Sequence, residues 1–305
     1  MGKVAFVFPG QGAQYPGMGK ELAEASSAAA EVFRLADAIR PGTSQQCFNG
    51  TAEELTETKT TQPCMVAVEL AAAAALTEAG IKADMAAGFS LGELSALSYS
   101  KIVDISTSMK LTCRRGQLMQ EAAEKHDTSM AAVVKLSNEA VEEICAQFEG
   151  VYPVNYNCPG QVTVAGLKSQ MAPFSAAVKA AGGRALPLKV SGGFHSLFMA
   201  EAAESFGEAL KNAEFAEPAI ALYSNVTGKP YDGSPAELLE KQICNPVRWE
   251  AIIRDMIASG ADTFIEVGPG NVLQGLIRKI DANMRVFGVS DAETLKNTIR
   301  EVTAC

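Results

Sequence analysis

The segment Gly88-Phe89-Ser90-Leu91-Gly92 carries the clearest chemistry in the sequence. Its G-x-S-x-G pattern is typical of a nucleophile elbow, in which a sharp turn between a strand and a helix exposes a serine hydroxyl to substrate. A serine hydroxyl is a weak nucleophile until a neighbouring base takes its proton. The pattern therefore predicts Ser90 as a nucleophile and requires a base elsewhere in the chain.

Only two histidines, His126 and His195, are available as that base. His126 stands in the charged stretch EKHD, which is typical of a solvated loop. His195 ends the segment SGGFH, and glycine-rich loops at domain junctions are where sites tend to form. We therefore expect His195 to be the base for Ser90; the alternative is a histidine satisfied in a core or cleft.

Strands and helices alternate around these residues. The periodicity predicts strands at 3–8, 81–87 and 263–267 and helices at 62–79, 91–99 and 105–125. The helix at 62–79 places Pro63 in its first turn, where proline is tolerated. A strand before Ser90 and a helix after it give the elbow its required context. The alternation predicts an α/β fold with a mostly parallel, α/β-hydrolase-like sheet.

Residues 126–193 have a different rhythm. They read as strand, helix, strand, strand, helix and strand, which is the βαββαβ order of a ferredoxin-like unit. We therefore expect a discontinuous large α/β catalytic domain at 1–125 and 194–305, with a ferredoxin-like small domain inserted at 126–193. The length of 305 residues fits two unequal domains, since single cores stop growing at roughly 250–300 residues.

Composition argues against several classes of protein. A net charge of −9 disfavours nucleic-acid binding, which needs a basic face. No apolar run approaches the roughly 20 residues that span a bilayer. The first residues lack the features of a signal peptide, so we expect a cytoplasmic protein without membrane contact. The seven cysteines show no C-x-x-C spacing, which predicts neither a disulfide framework nor a metal site.

Seven motifs resemble those of the malonyl-CoA:acyl carrier protein transacylases, in the same order and at about the same spacing over nearly the full length. They are FPGQGAQ at 8–14, GFSLGE at 88–93, RGQLMQ at 115–120, NYNCPGQV at 155–162, GGFH at 192–195, NPVRW at 245–249 and EVGPGNVL at 266–273. The resemblance implies transfer of malonyl from CoA to the phosphopantetheine thiol of an acyl carrier protein, through a malonyl-serine intermediate. It implies no permanently bound cofactor.

The same resemblance assigns roles at the reaction centre. Ser90 is the acyl-carrying nucleophile and His195 is its base. The backbone N–H groups of Gln11 and Leu91 stabilise the oxyanion of each tetrahedral intermediate. The backbone carbonyl of Arg248 orients the imidazole in place of a triad carboxylate.

Arg115 is the residue expected to select the acyl group. The R-G-x-x-M pattern assigns the cleft-facing arginine to Arg115 rather than Arg114, and its guanidinium can clamp the free malonyl carboxylate with two hydrogen bonds. Phe194 is expected to disfavour the α-methyl homologue by filling the space that the methyl group needs. Three further motif residues are expected to line the cleft or bind CoA: Gln62, Asn155 and Asn157.

Phe89 departs from the family pattern, in which histidine commonly precedes the serine, and we interpret it as a packing substitution. Three alternative functions remain open: a thioesterase or esterase using the same elbow, a trans-acting acyltransferase of polyketide synthesis, and a non-catalytic module that binds carrier protein or CoA. Because carrier proteins are acidic, docking needs a local basic face. The candidates for that face are Lys168, Lys179, Arg184 and Lys189.

Overall fold

The computed structural model describes residues 2–304 and contains two separate sheets. The strands in that range are β1 (Lys3–Phe8), β2 (Met85–Gly88), β3 (Thr128–Val134), β4 (Val151–Cys158), β5 (Gln161–Leu167), β6 (Arg184–Pro187), β7 (Ala221–Tyr223), β8 (Ala261–Val267) and β9 (Arg285–Val289). The larger sheet has the order β7-β2-β1-β8-β9, and all its pairings are parallel. The predicted α/β fold with a parallel sheet is confirmed.

Helices pack on both sheets. Those within residues 2–304 are α1 (Lys20–Ala25), α2 (Ser27–Ile39), α3 (Thr43–Asn49), α4 (Thr58–Glu78), α5 (Gly92–Tyr99), α6 (Ile105–Lys125), α7 (Asn138–Cys145), α8 (Lys168–Ala180), α9 (Ala200–Leu210), α10 (Pro235–Cys244), α11 (Trp249–Ala258), α12 (Val272–Ile280) and α13 (Ala292–Thr303). Helix α4 is buried almost all round and packs against α6. It begins about one turn before the predicted start, so Pro63 lies inside the helix rather than in its first turn.

The smaller sheet is antiparallel, with the order β4-β5-β3-β6. Helices α7 and α8 pack on it around a core of their own that includes Val162 and Phe174. A short parallel bridge ties this sheet to the rest of the chain: Val247 donates to the carbonyl of Val154 and accepts from the N–H of Tyr156, both at 2.9 Å. The NPVRW segment therefore pairs with the edge strand β4 of the smaller sheet.

Strands β1 and β2 are neighbours in the larger sheet, with Phe8 opposite Gly88. The carboxyl ends of parallel strands meet at one edge, so the loop at 9–12 and the serine elbow lie side by side. The N–H of Phe89 donates to the Phe8 carbonyl at 2.9 Å, and a Cβ on Gly10 would lie only 2.9 Å from the Phe89 carbonyl oxygen. Gly10 is therefore needed for the close approach of loop and elbow.

Strand β2 is shorter than predicted, because residues 81–83 are held outside the sheet. The N–H of Ile81 donates to the carbonyl of Leu76 at 2.9 Å, and the N–H of Ala83 donates to the Tyr99 hydroxyl at 3.0 Å. These bonds to the ends of two helices leave only Met85–Gly88 to pair with its neighbours.

The elbow leaves no room for side chains at its glycines, which gives a test of the fold. A Cβ on Gly92 would lie 2.2 Å from the Phe8 carbonyl oxygen, whereas a Cβ on Gly275 in α12 meets nothing within 4 Å. We expect Gly92→Ala to lower the free energy of unfolding in urea by about 3 kcal/mol or to prevent folding. Gly275→Ala should raise it by about 0.5–1 kcal/mol, because alanine is the better helix former. Equal effects of the two variants would contradict the tight elbow.

Candidate active site

Ser90 sits at the turn between β2 and α5 with a backbone φ of 53°, in the left-handed region that non-glycine residues rarely adopt. Asn225, just beyond β7, holds this turn from both sides. Its Oδ1 accepts from the Ser90 N–H at 2.7 Å, and its Nδ2 donates to the Gly88 carbonyl at 2.6 Å. The strained serine therefore belongs to a nucleophile elbow that a neighbouring amide keeps in place.

His195 is in direct contact with the serine. Its Nε2 lies 2.6 Å from the Ser90 Oγ, and its Nδ1 lies 2.8 Å from the main-chain carbonyl oxygen of Gln242. A carbonyl oxygen can only accept, so Nδ1 carries the proton and Nε2 is the free acceptor. This tautomer can take the serine proton.

The expectation that the Arg248 carbonyl orients the imidazole is wrong. Arg248 precedes α11, and its carbonyl oxygen accepts from the N–H of Ile252 at 3.1 Å as the first turn of that helix. Its side chain donates to the Val226 carbonyl at 3.0 Å. The main-chain oxygen of Gln242, in the last turn of α10, takes the place expected for Arg248.

The imidazole of His195 is strongly biased toward its neutral form. Burial, the larger cause, and the positive charge of Arg115 together lower the pKa of His195 from 6.5 to about 4, although hydrogen bonds to the carbonyls of Gln242 and Asn245 oppose the shift. A neutral imidazole at physiological pH is the form that accepts a proton. The site therefore holds a base ready at neutral pH.

Arg115 projects from α6 to the same place and is 2% exposed. Its Nη1 donates to Gln62 Oε1 at 3.0 Å, and its Nη2 donates to Gln242 Oε1 at 2.8 Å and to Ser90 Oγ at 3.3 Å. These three acceptors are neutral oxygens. Burial lowers the pKa of Arg115 to about 10, so the guanidinium remains charged at neutral pH.

A cavity of about 110 Å³ opens beside these groups. The predicted site residues that line it are Gln11, Gln62, Ser90, Leu91, Arg115, Asn155, Phe194 and His195. Asn157 does not line it: its Nδ2 donates to Thr163 Oγ1 at 3.1 Å on the neighbouring strand β5. The cavity has room for a small acyl group.

Two backbone N–H groups at this cavity lack a partner. Gln11 follows β1 and Leu91 follows Ser90, and within residues 2–304 neither N–H donates a hydrogen bond to another protein atom. Orphaned donors beside a nucleophile suit the negative oxygen of a tetrahedral intermediate. The arrangement places a serine hydroxyl, a neutral imidazole, a guanidinium and two N–H donors around one cavity.

The profile of the acyl transferase domain family matches residues 5–304. This chain belongs to that family. It is 38% identical over 309 residues to the malonyl CoA-acyl carrier protein transacylase of Bacillus subtilis, covering 98% of this chain and 97% of that protein. It is 38% identical over 291 residues to the transacylase of the same name from Escherichia coli K12, covering 92% and 93% of the two chains.

Solved structures give the same result for this acyl transferase. The malonyl CoA-acyl carrier protein transacylase of Clostridium perfringens superposes with a TM-score of 0.96 at 36% identity, over 99% of this chain and 98% of that one. A malonyl-transacylase solved in complex with its type II polyketide synthase acyl-carrier protein superposes with a TM-score of 0.94 at 35% identity, over 98% and 99% of the two chains.

Two polar residues of the acyl transferase site, Asn225 and Gln242, were not predicted. Glu93 belongs to the GFSLGE motif, but no role was predicted for it. Gln242 carried a usable signal. It follows Leu238 and Leu239 at helical spacing and precedes Ile243, so it is a polar residue on the buried face of α10. A buried polar side chain needs partners, and that requirement could have drawn attention to it.

Phe89, the residue before the nucleophile, lines the same cavity and also packs on an aromatic neighbour. Its ring packs edge-on against Trp249, with 5.4 Å between ring centroids. The interpretation of Phe89 as a packing residue rests on this contact.

Residues 2–304 contain neither a cluster of metal-ligating side chains nor a helix suited to span a membrane. Within that range, no group of three or more metal-ligating side chains is close enough to hold an ion. No helix there is long and apolar enough to cross a bilayer.

The lowered pKa of His195 can be measured directly. In His126→Gln a single imidazole remains, so its nitrogen NMR signals are unambiguous. We expect that imidazole to stay neutral at pH 6 and to take up a proton only near pH 4, because burial and Arg115 disfavour the cation. Adding Arg115→Met should raise the pKa of His195, because the positive charge that helps to lower it is removed. Titration at the ordinary 6.5 in the His126→Gln protein would contradict the buried, cation-flanked imidazole.

Proposed function

We propose that this acyltransferase moves malonyl from malonyl-CoA to the phosphopantetheine thiol of an acyl carrier protein. The observation that carries the proposal is the buried guanidinium of Arg115, which reaches within 3.3 Å of the Ser90 Oγ and, among the described residues 2–304, hydrogen-bonds only to neutral oxygens. A cation in that position suits an acyl group that ends in a free carboxylate. The names of the relatives agree with this substrate.

The first half-reaction follows from the geometry. Ser90 Oγ attacks the thioester carbon while its proton passes to His195 Nε2, and the carbonyl oxygen becomes an oxyanion held by the N–H groups of Gln11 and Leu91. Collapse of this intermediate breaks the carbon–sulfur bond. The leaving CoA sulfur takes the proton from His195, which returns the imidazole to its neutral form and leaves malonyl on Ser90.

The second half-reaction reverses these steps with a different thiol. The phosphopantetheine thiol gives its proton to His195 Nε2 as its sulfur attacks the malonyl ester, and the same N–H groups hold the oxyanion. Breaking the ester bond returns the proton to Ser90 Oγ. Throughout, Arg115 binds the malonyl carboxylate, and its donation to the serine oxygen favours the developing alkoxide.

The proposal also covers the domain organisation, the acyl preference and the pathway. We describe residues 126–193 as a ferredoxin-like domain, supported by the βαββαβ order and the strand order β4-β5-β3-β6, inserted in an α/β-hydrolase-like domain at 1–125 and 194–305. Phe194 fills part of the cavity wall and would disfavour an α-methyl group. No permanent cofactor is required, and we assign the reaction to cytoplasmic fatty acid synthesis.

Carrier docking is proposed on basic side chains within residues 126–193. Lys189 lies between two cavity-lining residues, Leu188 and Val190, and Arg184 is exposed on β6. Lys168 is paired with Asp127 and is less available to an acidic partner.

The covalent intermediate gives the first test of this function. Wild-type protein mixed with malonyl-CoA should show a malonyl adduct by intact-mass spectrometry, and Ser90→Ala should show none, because the ester oxygen is missing. On adding holo carrier protein the adduct should disappear as malonyl-carrier forms. Release of free malonate in place of malonyl-carrier would instead identify a hydrolase.

The acyl preference gives the second test. Arg115→Ala should lower kcat/KM for malonyl-CoA by about a hundredfold or more, because a buried charge-assisted pair is worth roughly 3 kcal/mol. Acetyl transfer should fall far less, so the malonyl-to-acetyl ratio should drop. Arg114→Ala is the matched control, since that exposed neighbour bonds to Gln117 at the surface. An unchanged ratio in Arg115→Ala would rule out the clamp.

A further inference from the structure

Glu93 is a buried carboxylate close to Ser90 that does not line the acyl cavity. It lies in the first turn of α5, three residues after Ser90, and its side chain is fully buried. An ionised carboxylate buried alone is costly, so this group requires hydrogen-bond donors and a countercharge.

Three donors surround the Glu93 carboxylate. The Tyr231 hydroxyl lies 2.6 Å from Oε1, the Gln242 Nε2 lies 2.8 Å from Oε2, and the N–H of Asn225 lies 3.3 and 3.4 Å from the two oxygens. This set suits the ionised form, which only accepts. Burial raises the pKa of Glu93 to about 7, while these donors and the charge of Arg115 oppose the rise.

One side-chain amide connects Glu93 to Arg115. The Nε2 of Gln242 donates to Glu93 and, at 2.6 Å, to the Ser90 carbonyl, which leaves its Oε1 to accept from Arg115 Nη2 at 2.8 Å. Within residues 2–304, no carboxylate is hydrogen-bonded to the guanidinium. The charge that supports the cation is that of Glu93, which raises the pKa of Arg115 against the effect of burial.

We propose that Glu93 is a positioning residue that serves as the countercharge of Arg115, held one amide away so that the guanidinium stays open to the carboxylate of the acyl group. A direct ion pair would occupy the guanidinium, and no countercharge at all would leave a buried cation uncompensated. The inference rests on the proposed malonyl chemistry. The arrangement also has a cost, because the negative charge of Glu93 that stabilises Arg115 repels the malonyl carboxylate.

The test is Glu93→Gln, assayed with malonyl-CoA and acetyl-CoA. Removing the negative charge should lower KM for malonyl-CoA and raise the malonyl-to-acetyl ratio of kcat/KM on the order of tenfold, because the cation then faces only the substrate anion. Acetyl-CoA carries no free carboxylate, so its kcat/KM is the reference against which the malonyl value is compared. The melting temperature should fall, and malonyl-CoA should raise it more than it does in the wild type. A purely structural role would lower both activities together.

Glu69→Gln is the matched control. Glu69 is also a fully buried carboxylate held by α5, through Ser95 at 2.6 Å, and it has no hydrogen bond to Gln242 or Arg115. Its substitution should leave the ratio unchanged. An equal rise in Glu69→Gln would overturn the inference.

Tyr231→Phe provides a second variant in case Glu93→Gln fails to fold. It keeps the carboxylate but removes one donor, so the pKa of Glu93 rises and less of it is ionised at pH 7. The ratio should therefore rise by less than in Glu93→Gln. A ratio that is unchanged or lower in the folded variants would overturn the countercharge role. Absence of malonyl transfer in the wild type would refute the proposed function instead.

Discussion

The site depends on one contact, the 2.6 Å separation between Ser90 Oγ and His195 Nε2. Both residues adopt positive φ, 53° for the serine and 60° for the histidine, so neither backbone is relaxed. Asn225 holds the serine turn through two hydrogen bonds, and the Gln242 carbonyl holds the imidazole. The surrounding structure therefore supplies the free energy that keeps two strained residues within reach of each other.

A main-chain carbonyl is a suitable partner for His195 because of the neighbouring arginine. A carboxylate on Nδ1 would raise the pKa of the imidazole, and it would also offer Arg115 an internal ion pair. The carbonyl of Gln242 fixes the same tautomer without adding a charge. The guanidinium is then left with amide and hydroxyl partners, which a substrate carboxylate can displace at lower cost. A neutral third group thus lets a neutral imidazole and a charged guanidinium share the site.

Features formed by residues close together in the sequence could be predicted, whereas features that depend on distant residues could not. The elbow at Ser90 is a local turn with required glycines, and β1, β2 and α6 follow clear periodicities, so these could be predicted. With only two histidines in the chain, His195 followed by elimination. Orientation of the imidazole could not be predicted in this way, because a backbone carbonyl leaves no mark on residue type. The assignment of this role to Arg248 failed for that reason.

Gln242 and Asn225 show what long-range packing adds. Gln242 lies 152 residues from Ser90, and Asn225 lies 135 residues from it, yet both bond to the serine backbone. Such contacts arise when α10 and the segment after β7 close over the carboxyl edge of the parallel sheet, which periodicity does not specify. In contrast, Phe89 shares the elbow with the serine, but its ring packs on Trp249. Adjacency to the nucleophile therefore does not by itself assign a chemical role, because Phe89 lines the cavity with an apolar ring that has no proton to donate or accept.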